Sequence, residues 1–320
     1  MCLPHVVYVS MSAEDYPKTQ AEFQEKFATE EACWEYLVKM RWPNGFVCCR
    51  CNGTKAWLNS RGLFECQCGQ QTSVKVGTIF QGSRKPLRLW FNVMWTVVVP
   101  KTGNSANNLK VAMGFGSYQT VWMWLHKLRR AMIRPGRDRL IGEVEVDETY
   151  IGGVEKGKNR RGRGANSKTL VVVATECLGK KLGRVRFHCI NQASEDELIP
   201  FINDYVEPGS TVITDGWEGY KNVGVSGYKH KKKTISGSGK NAHELLPHVH
   251  LVDALLKKWI NGTHQGAINK KYLQYYLDEY SFRFNRRLSK YRGKLLYRLI
   301  QQSIQVPPTT RKMIIGKEDY

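Results

Sequence analysis

The spacing of apolar positions changes period along this chain, and each change marks a boundary. Between Ala28 and Met40 the apolar residues Cys33, Tyr36, Leu37 and Met40 recur at three and four, with Thr29 as N-cap and acids just after it. That is helical patterning. Leu87 to Trp95 is aromatic-rich and follows Pro86, a natural helix start. Gly103-Asn104-Ser105 caps a short helix through Leu109 and Met113, and Gly114-Phe115-Gly116 makes a turn. Ser117 then caps a helix from Tyr118 to Met132 on Val121, Trp124, Leu125, Leu128 and Met132. From Gly142 the period becomes two. Val144–Ile151, Leu170–Thr175, Gly183–His188 and Thr211–Thr214 read as strands, and a helix from Ser194 to Val206 precedes the fourth. From Val249 the chain is helical again, with Leu251, Leu255 and Leu256/Trp259 at packing intervals and a second amphipathic helix from Tyr272 to Phe284. The last twenty residues are weakly patterned and read as a loose tail.

Three strands, a helix, a strand and further helices form a mixed α/β sheet with helices packed on it. Acids at strand ends beside such a sheet are where sites form. Asp147 lies in the first strand, shortly before Gly152-Gly153, and Asp215 ends the fourth. On the helix that follows, His250, Ala254 and Lys257 share a face with Asp253 close by. Two aspartates and a histidine could meet around divalent cations.

Composition narrows the partner. Apolar residues make up 42% of the 320, enough for a real core, and the formal net charge is +21. Such an excess calls for a polyanion, and nucleic acid is the usual one. Lys127, Arg129, Arg130 and Arg134 gather near the end of the helix after Ser117. Helix, glycine turn and basic helix outline a helix-turn-helix, or equally an αα-hairpin with a solvated basic end. Gly152 to Lys168 is a glycine-rich basic loop carrying Lys156, Lys158, Arg160, Arg161, Arg163 and Lys168, suited to phosphate backbone. Lys229 to Lys233 adds a further basic cluster. Of nine cysteines, Cys48/Cys51 and Cys66/Cys68 form two tight pairs that suit one Zn²⁺ better than bridging, although the second pair has a single intervening residue. The longest apolar run, Val93 to Pro100, is too short to span a bilayer, so no membrane partner is expected. The start lacks a signal-peptide pattern, which makes the reducing cytosol the expected compartment.

Several stretches resemble bacterial insertion-sequence transposases of the zinc-ribbon, ISXO-like DDE group. They are Arg41-Trp42-Pro43-Asn44-Gly45-Phe46-Val47-Cys48, Gln71-Thr72-Ser73 with Gly77-Thr78-Ile79-Phe80, Leu125-His126-Lys127-Leu128-Arg129-Arg130-Ala131-Met132, Val146-Asp147-Glu148-Thr149-Tyr150-Ile151-Gly152-Gly153, Thr214-Asp215-Gly216, Gly262-Thr263-His264, and Phe282-Arg283-Phe284-Asn285-Arg286-Arg287. The resemblance implies an RNase H-like mixed sheet flanked by helices, preceded by a zinc ribbon and a helix-turn-helix. On that reading residues 1–45 are a helical lead-in, 46–82 the ribbon, 83–140 the helix-turn-helix region, 141–300 the catalytic domain and 301–320 a tail. Asp147 and Asp215 match the first two catalytic acids. His250 falls at the third, where members of the group often carry Asn or Glu, and Lys257 matches the lysine two turns later. The resemblance further implies Mg²⁺ or Mn²⁺ on Asp147, Asp215 and His250, Zn²⁺ on the four cysteines, and double-stranded DNA as partner, both element ends and target. It also implies a dimer or larger assembly on DNA, associated with a bacterial nucleoid. The expected activity is 3′-end cleavage and strand transfer at the element's own terminal inverted repeats. The competing reading is a DNA-binding regulator with an inactive nuclease fold.

Overall fold

The structure is a computed structural model and describes residues 14–134, 136–152, 168–234, 239, 241–266 and 268–316. Helices α1 (Gln20–Lys26) and α2 (Glu30–Arg41) come first. Strands β1 (Ala56–Leu58), β2 (Phe64–Cys66) and β3 (Gln71–Thr72) follow, then helices α3 (Leu87–Val98), α4 (Ala106–Ala112) and α5 (Tyr118–Ala131). Next are β4 (Glu143–Ile151), β5 (Thr169–Leu178), β6 (Lys181–Ile190), α6 (Glu195–Tyr205), β7 (Thr211–Thr214) and β8 (Lys229–Lys232). Helices α7 (Ala242–Leu245), α8 (Pro247–His264), α9 (Leu273–Phe284), α10 (Gly293–Ser303) and α11 (Arg311–Ile315) complete the order. Among the described residues no helix is long and apolar enough to cross a membrane.

The chain divides into two compact units, one running to Arg134 and resuming at Leu288, the other spanning Pro135–Arg287. In the first, Thr29 caps α2 by accepting from the Ala32 N–H (3.1 Å), and Cys33, Tyr36, Leu37 and Met40 are buried as their spacing requires. Trp90 of α3 stacks on Trp124 of α5 with ring centroids 3.6 Å apart. Helices α4 and α5 pack together across the Gly114–Gly116 turn, which gives the helix-turn-helix outline. The small antiparallel sheet β1-β2-β3 rests on an aromatic nest in which Phe64 stacks on Phe46 (5.2 Å) and on Trp34 of α2 (5.7 Å).

Sequence reading carried the catalytic domain to residue 300 and left a tail after it. The chain instead leaves the sheet unit at Arg287, and α10 packs on α2, α3 and α5. Leu295, Leu296, Leu299 and Ile300 of α10 are buried there. Residues 301–316 are no loose tail either, because α11 packs on α5 with Ile314 buried. An amphipathic pattern reports that a helix has an apolar face, not which core receives it.

The second unit is a five-stranded mixed sheet in the order β6-β5-β4-β7-β8 with helices on both faces, the RNase H-like architecture. β4, β5 and β6 are antiparallel neighbours, while β7 pairs with β4, and β8 with β7, in parallel. Interior strand β5 is buried on both faces, which its unbroken Leu170–Ala174 run dictates. One face packs Val171 and Val173 under Val249, Val252, Leu256 and Trp259 of α8 and Leu277 of α9. The other packs Val144, Val146 and Val172 against Leu198, Phe201 and Ile202 of α6. Leu251 and Leu255, taken from the sequence as packing positions, are on the outer side of α8 at 50% and 39% exposure. The buried stripe is offset and runs through Val249, Val252, Leu256 and Trp259.

The close seat of α10 is testable. A Cβ on Gly293 would lie 1.6 Å from the Pro17 carbonyl oxygen, a backbone atom that cannot swing aside. Gly293→Ala is expected to destabilise the helical unit by about 3 kcal/mol, an overpacking cost. Thermal melting should show the loss, whereas Lys312→Ala on the exposed side of α11 should leave the melt within about 1 °C of wild type.

Candidate active site and zinc-ligand cluster

β4 alternates in a way that builds the site. Its even residues Val144 and Val146 enter the core under α6, and its odd residues Glu145, Asp147, Thr149 and Ile151 face α8. Three of these meet α8 in succession. Glu145, 2% exposed, accepts hydrogen bonds from the N–H groups of His248 (2.8 Å) and Val249 (2.9 Å) and faces His248 Nδ1 at 3.0 Å. Asp147 Oδ2 lies 3.6 Å from His250 Nε2. Thr149 Oγ1 accepts from Lys257 Nζ at 2.7 Å, and the same ammonium donates to Asp253 Oδ2 at 2.8 Å.

Asp215 arrives from β7. Glu145 pairs with Ile213 across the parallel ladder, so the register carried two residues on sets Asp147 beside Asp215. Asp215 Oδ1 accepts from the Trp217 N–H at 2.9 Å, and the turn depends on Gly216 at φ +89°. Asp147 on β4 and Asp215, the residue just after β7, are thus neighbours, and the charge of Asp215 acts on Asp147. Asp147, His250, Asp253 and Lys257 line one open cleft of about 390 Å³.

The electrostatics suit a cation. Burial is the main influence pushing the Asp147 carboxyl up to about 6. The Glu148 backbone N–H and His250 pull it down, and the charges of Asp215 and Asp253 add to the rise. Burial likewise brings Glu148 up to about 7, against the hydrogen bond it accepts from the Tyr220 hydroxyl. Two buried atoms facing the cleft lack a hydrogen-bond partner among the described residues, His250 Nε2 and Asp253 Oδ1. The 3.6 Å between His250 Nε2 and Asp147 is too long for a hydrogen bond. Unpartnered lone-pair atoms of this kind fit ligation. Asp147, Asp215 and His250 do not form a set as tight as 4.8 Å. A pair of ions about 3.5–4 Å apart spreads its ligands more widely than one ion does.

Glu145, Cys177 and His248 do meet within 4.8 Å. That group is already occupied by hydrogen bonds, since both Glu145 oxygens are engaged and His248 Nε2 lies 2.8 Å from the Gly179 carbonyl. Sequence reasoning overlooked Glu145, Glu148 and Tyr220. The available signal for Glu145 was its place two residues before Asp147, an acid on the same inward face.

The second cluster joins Cys48, Cys51, Cys66 and Cys68, whose sulfurs all lie within 4.8 Å of one another. Cys48 and Cys68 are 3.7 Å apart, and Cys51 and Cys66 3.6 Å. Four sulfurs at 2.3 Å from a tetrahedral zinc would be about 3.8 Å apart. The short Cys-x-Cys spacing closes because Cys66 ends β2 while Cys68 sits in the turn made by Gly69 at φ +78°. The Arg50 N–H points at Cys48 Sγ and the Gly53 N–H at Cys51 Sγ, both at 3.4 Å. Burial opposes ionisation of Cys48, but the backbone N–H groups of Cys51 and Arg50, together with the Cys66 and Cys68 side chains, outweigh it and bring the thiol down to about 6. At Cys51 the Gly53 N–H is outweighed by the Cys68 and Cys66 side chains, and the thiol is pushed up to about 12. Donors aimed at sulfur favour thiolate, the form zinc binds.

The basic residues fare differently. Lys127 and Arg130 are half-buried on α5, but Arg129 is only 1% exposed and does not face solvent. It stands one turn after Leu125, on the helix's apolar side, so it is corrected here from a surface cation to an interior one. Lys156, Lys158, Arg160, Arg161 and Arg163 lie outside the described residues.

The model of the ISXO2-like transposase domain matches residues 139–285, and that of the transposase zinc-ribbon domain residues 28–71. A protein of Halobacterium salinarum, described as an uncharacterized protein in transposable element ISH50, is 26% identical over 278 residues, covering 80% of this chain and 91% of its own length. Two solved structures are more distant. One is a simian T-cell lymphotropic virus intasome in complex with PP2A regulatory subunit B56 gamma, at 15% identity, 54% of this chain, 67% of that one and a TM-score of 0.30. The other is a pre-cleavage Mos1 transpososome, at 13%, 68%, 75% and 0.27. Scores this low add nothing to the fold. The zinc-ribbon match precedes the transposase-domain match, the expected order, and the two together take in more than half of the chain, which belongs to the ISXO2-like transposases with a zinc ribbon.

Proposed function

We propose that this transposase binds the terminal inverted repeats of its own insertion sequence, cuts their 3′ ends and joins them to target DNA. The observation that carries the reading is Asp147 beside Asp215, facing a histidine whose Nε2 has no hydrogen-bond partner among the described residues. Asp147, Asp215 and His250 would hold Mg²⁺ or Mn²⁺, which supply Lewis-acid stabilisation of the attacking and leaving oxygens. Asp253 is the reserve ligand. Asp147, which feels both Asp215 and His250, would be the ligand common to the set. Lys257, pinned by Thr149 and Asp253, directs its ammonium at a phosphate near the scissile bond. The four cysteines hold Zn²⁺ and keep the ribbon folded for end binding, together with α4 and α5. Lys127 and Arg130 reach phosphate, and the basic loop with Lys156, Lys158, Arg160, Arg161 and Arg163 clamps the backbone. Double-stranded DNA is the partner, and a dimer or larger assembly pairs the ends. The second reading, a DNA-binding regulator with an inactive nuclease fold, draws on His250 standing where the family often has Asn or Glu.

Labelled element-end DNA decides between them. Wild type should cut and join it with Mn²⁺ at least as well as with Mg²⁺, and Asp147→Asn should lose at least about a hundredfold in rate. Equal product from both proteins excludes metal catalysis at this site and leaves the regulator.

Asp147 also makes the metal-free protein sensitive to pH. Its folded value of about 6 lies above its ordinary 3.8, so its contribution to stability is full below about pH 4 and lost as pH rises through 6. Without divalent ions, Asp147→Asn should melt several degrees above wild type at pH 7.5 and level with it at pH 4. At the ribbon, metal analysis should find one zinc per chain in wild type and well under half that in Cys66→Ser. A chelator should unfold the ribbon without melting the sheet unit.

A further inference from the structure

A second cleft adjoins the catalytic one, and none of the roles above uses it. It measures about 240 Å³ and shares Tyr150, Lys168 and Lys257 with the cleft that holds Asp147 and His250. Its floor is apolar, made by Ile260, Ile268 and Leu273 under the end of β4. Lys168, Lys257 and Lys270 supply three ammonium groups, Asn261 a side-chain amide, and among the described residues no carboxylate lines it. Lys257 is already bonded to Thr149 and Asp253. Lys168 and Lys270 are exposed and have no hydrogen-bond or ion-pair partner among the described residues.

Unpaired cations around an apolar floor select a ligand with an anionic end and a flat apolar body. A single strand of DNA offers both, a phosphate and a base, at each nucleotide. Resting on the proposed catalytic reading, we infer that this cleft holds one nucleotide of the strand seated at Asp147. The base lies on Ile260, Ile268 and Leu273, the phosphate meets Lys168 and Lys270, and Asn261 is free to hydrogen-bond the base edge. Lys257 stands between the two clefts and sets the spacing from the held nucleotide to the scissile phosphate. A duplex cannot put a stacked base into such a floor, so the strand must be locally unpaired there. The cleft thus selects for opened rather than intact duplex next to the cleavage point.

The test uses the full-length protein and a short fluorescein-labelled single-stranded oligonucleotide of mixed sequence, with an abasic counterpart of equal length. Anisotropy titrations without divalent ions should show tighter binding of the normal strand than of the abasic one. Lys168→Ala with Lys270→Ala should weaken both by about tenfold, as loss of two phosphate contacts implies. Ile268→Glu should remove the preference for bases, and the exposed lysine pair provides the reading should that half-buried variant fold poorly. Wild type binding both strands alike, or the lysine pair binding like wild type, overturns the inference. Metal-dependent cutting of duplex is followed in the same preparations. Loss of cutting in Asp147→Asn together with unchanged binding by the lysine pair sinks only the nucleotide subsite. Cutting unaffected by Asp147→Asn sinks the catalytic reading instead.

Discussion

The position of the helix-borne candidates His250, Asp253 and Lys257 depends on one buried carboxylate. Glu145 takes the first two free N–H groups of α8 and the ring of His248, so the start of that helix is fastened to β4 two residues before Asp147. Helix α8 has no capping side chain of its own, since its N-cap residue is Leu246. The acid therefore answers a need that any helix start has. Hydrogen bonds to a charged acceptor are each worth about 1.5–3 kcal/mol, enough to hold the helix in one register along the strand. The device recurs at the start of another helix. Glu30 of α2 accepts from the N–H groups of Leu87 (2.7 Å) and Arg88 (2.8 Å), at the start of α3, where Pro86 cannot cap. In both places a carboxylate from a distant element fixes where a helix begins.

Once α8 is held this way, its side chains meet β4 as a series. Asp147 opposes His250, and Thr149 opposes Lys257. The crowding of Asp147, Asp215 and Asp253 is unfavourable without a counter-charge, and burial makes it worse. Geometry that is costly for the bare protein is the geometry a divalent ion relieves. Glu148 and Tyr220 lie on the other face of β4 and join the strand to the turn that follows Asp215, so both acids are braced from below as well.

Much of this was legible in the residues. Runs such as Leu170–Ala174 can only be interior strand, and Gly216 after Asp215 announces the turn it makes. Arg129 was legible as well, because helical counting from Leu125 puts it among the buried positions. Strand β8 was not. Lys-His-Lys-Lys has no apolar alternation, and it becomes a strand only because β7 offers it a ladder; its lysines suit an edge that must not recruit another chain. Nor was Glu145's role, since its partners lie about a hundred residues away and only the folded sheet brings them near.

The helical unit is assembled from two separated lengths of chain, with the whole sheet unit between them. A ribosome therefore finishes Pro135–Arg287 before α10 exists to cover α2, α3 and α5. The sheet can close while still tethered, whereas the part that carries the ribbon and the helix-turn-helix must wait with an open apolar flank. Vectorial synthesis thus imposes an order of maturation, in which the sheet unit is ready first and the helical unit last.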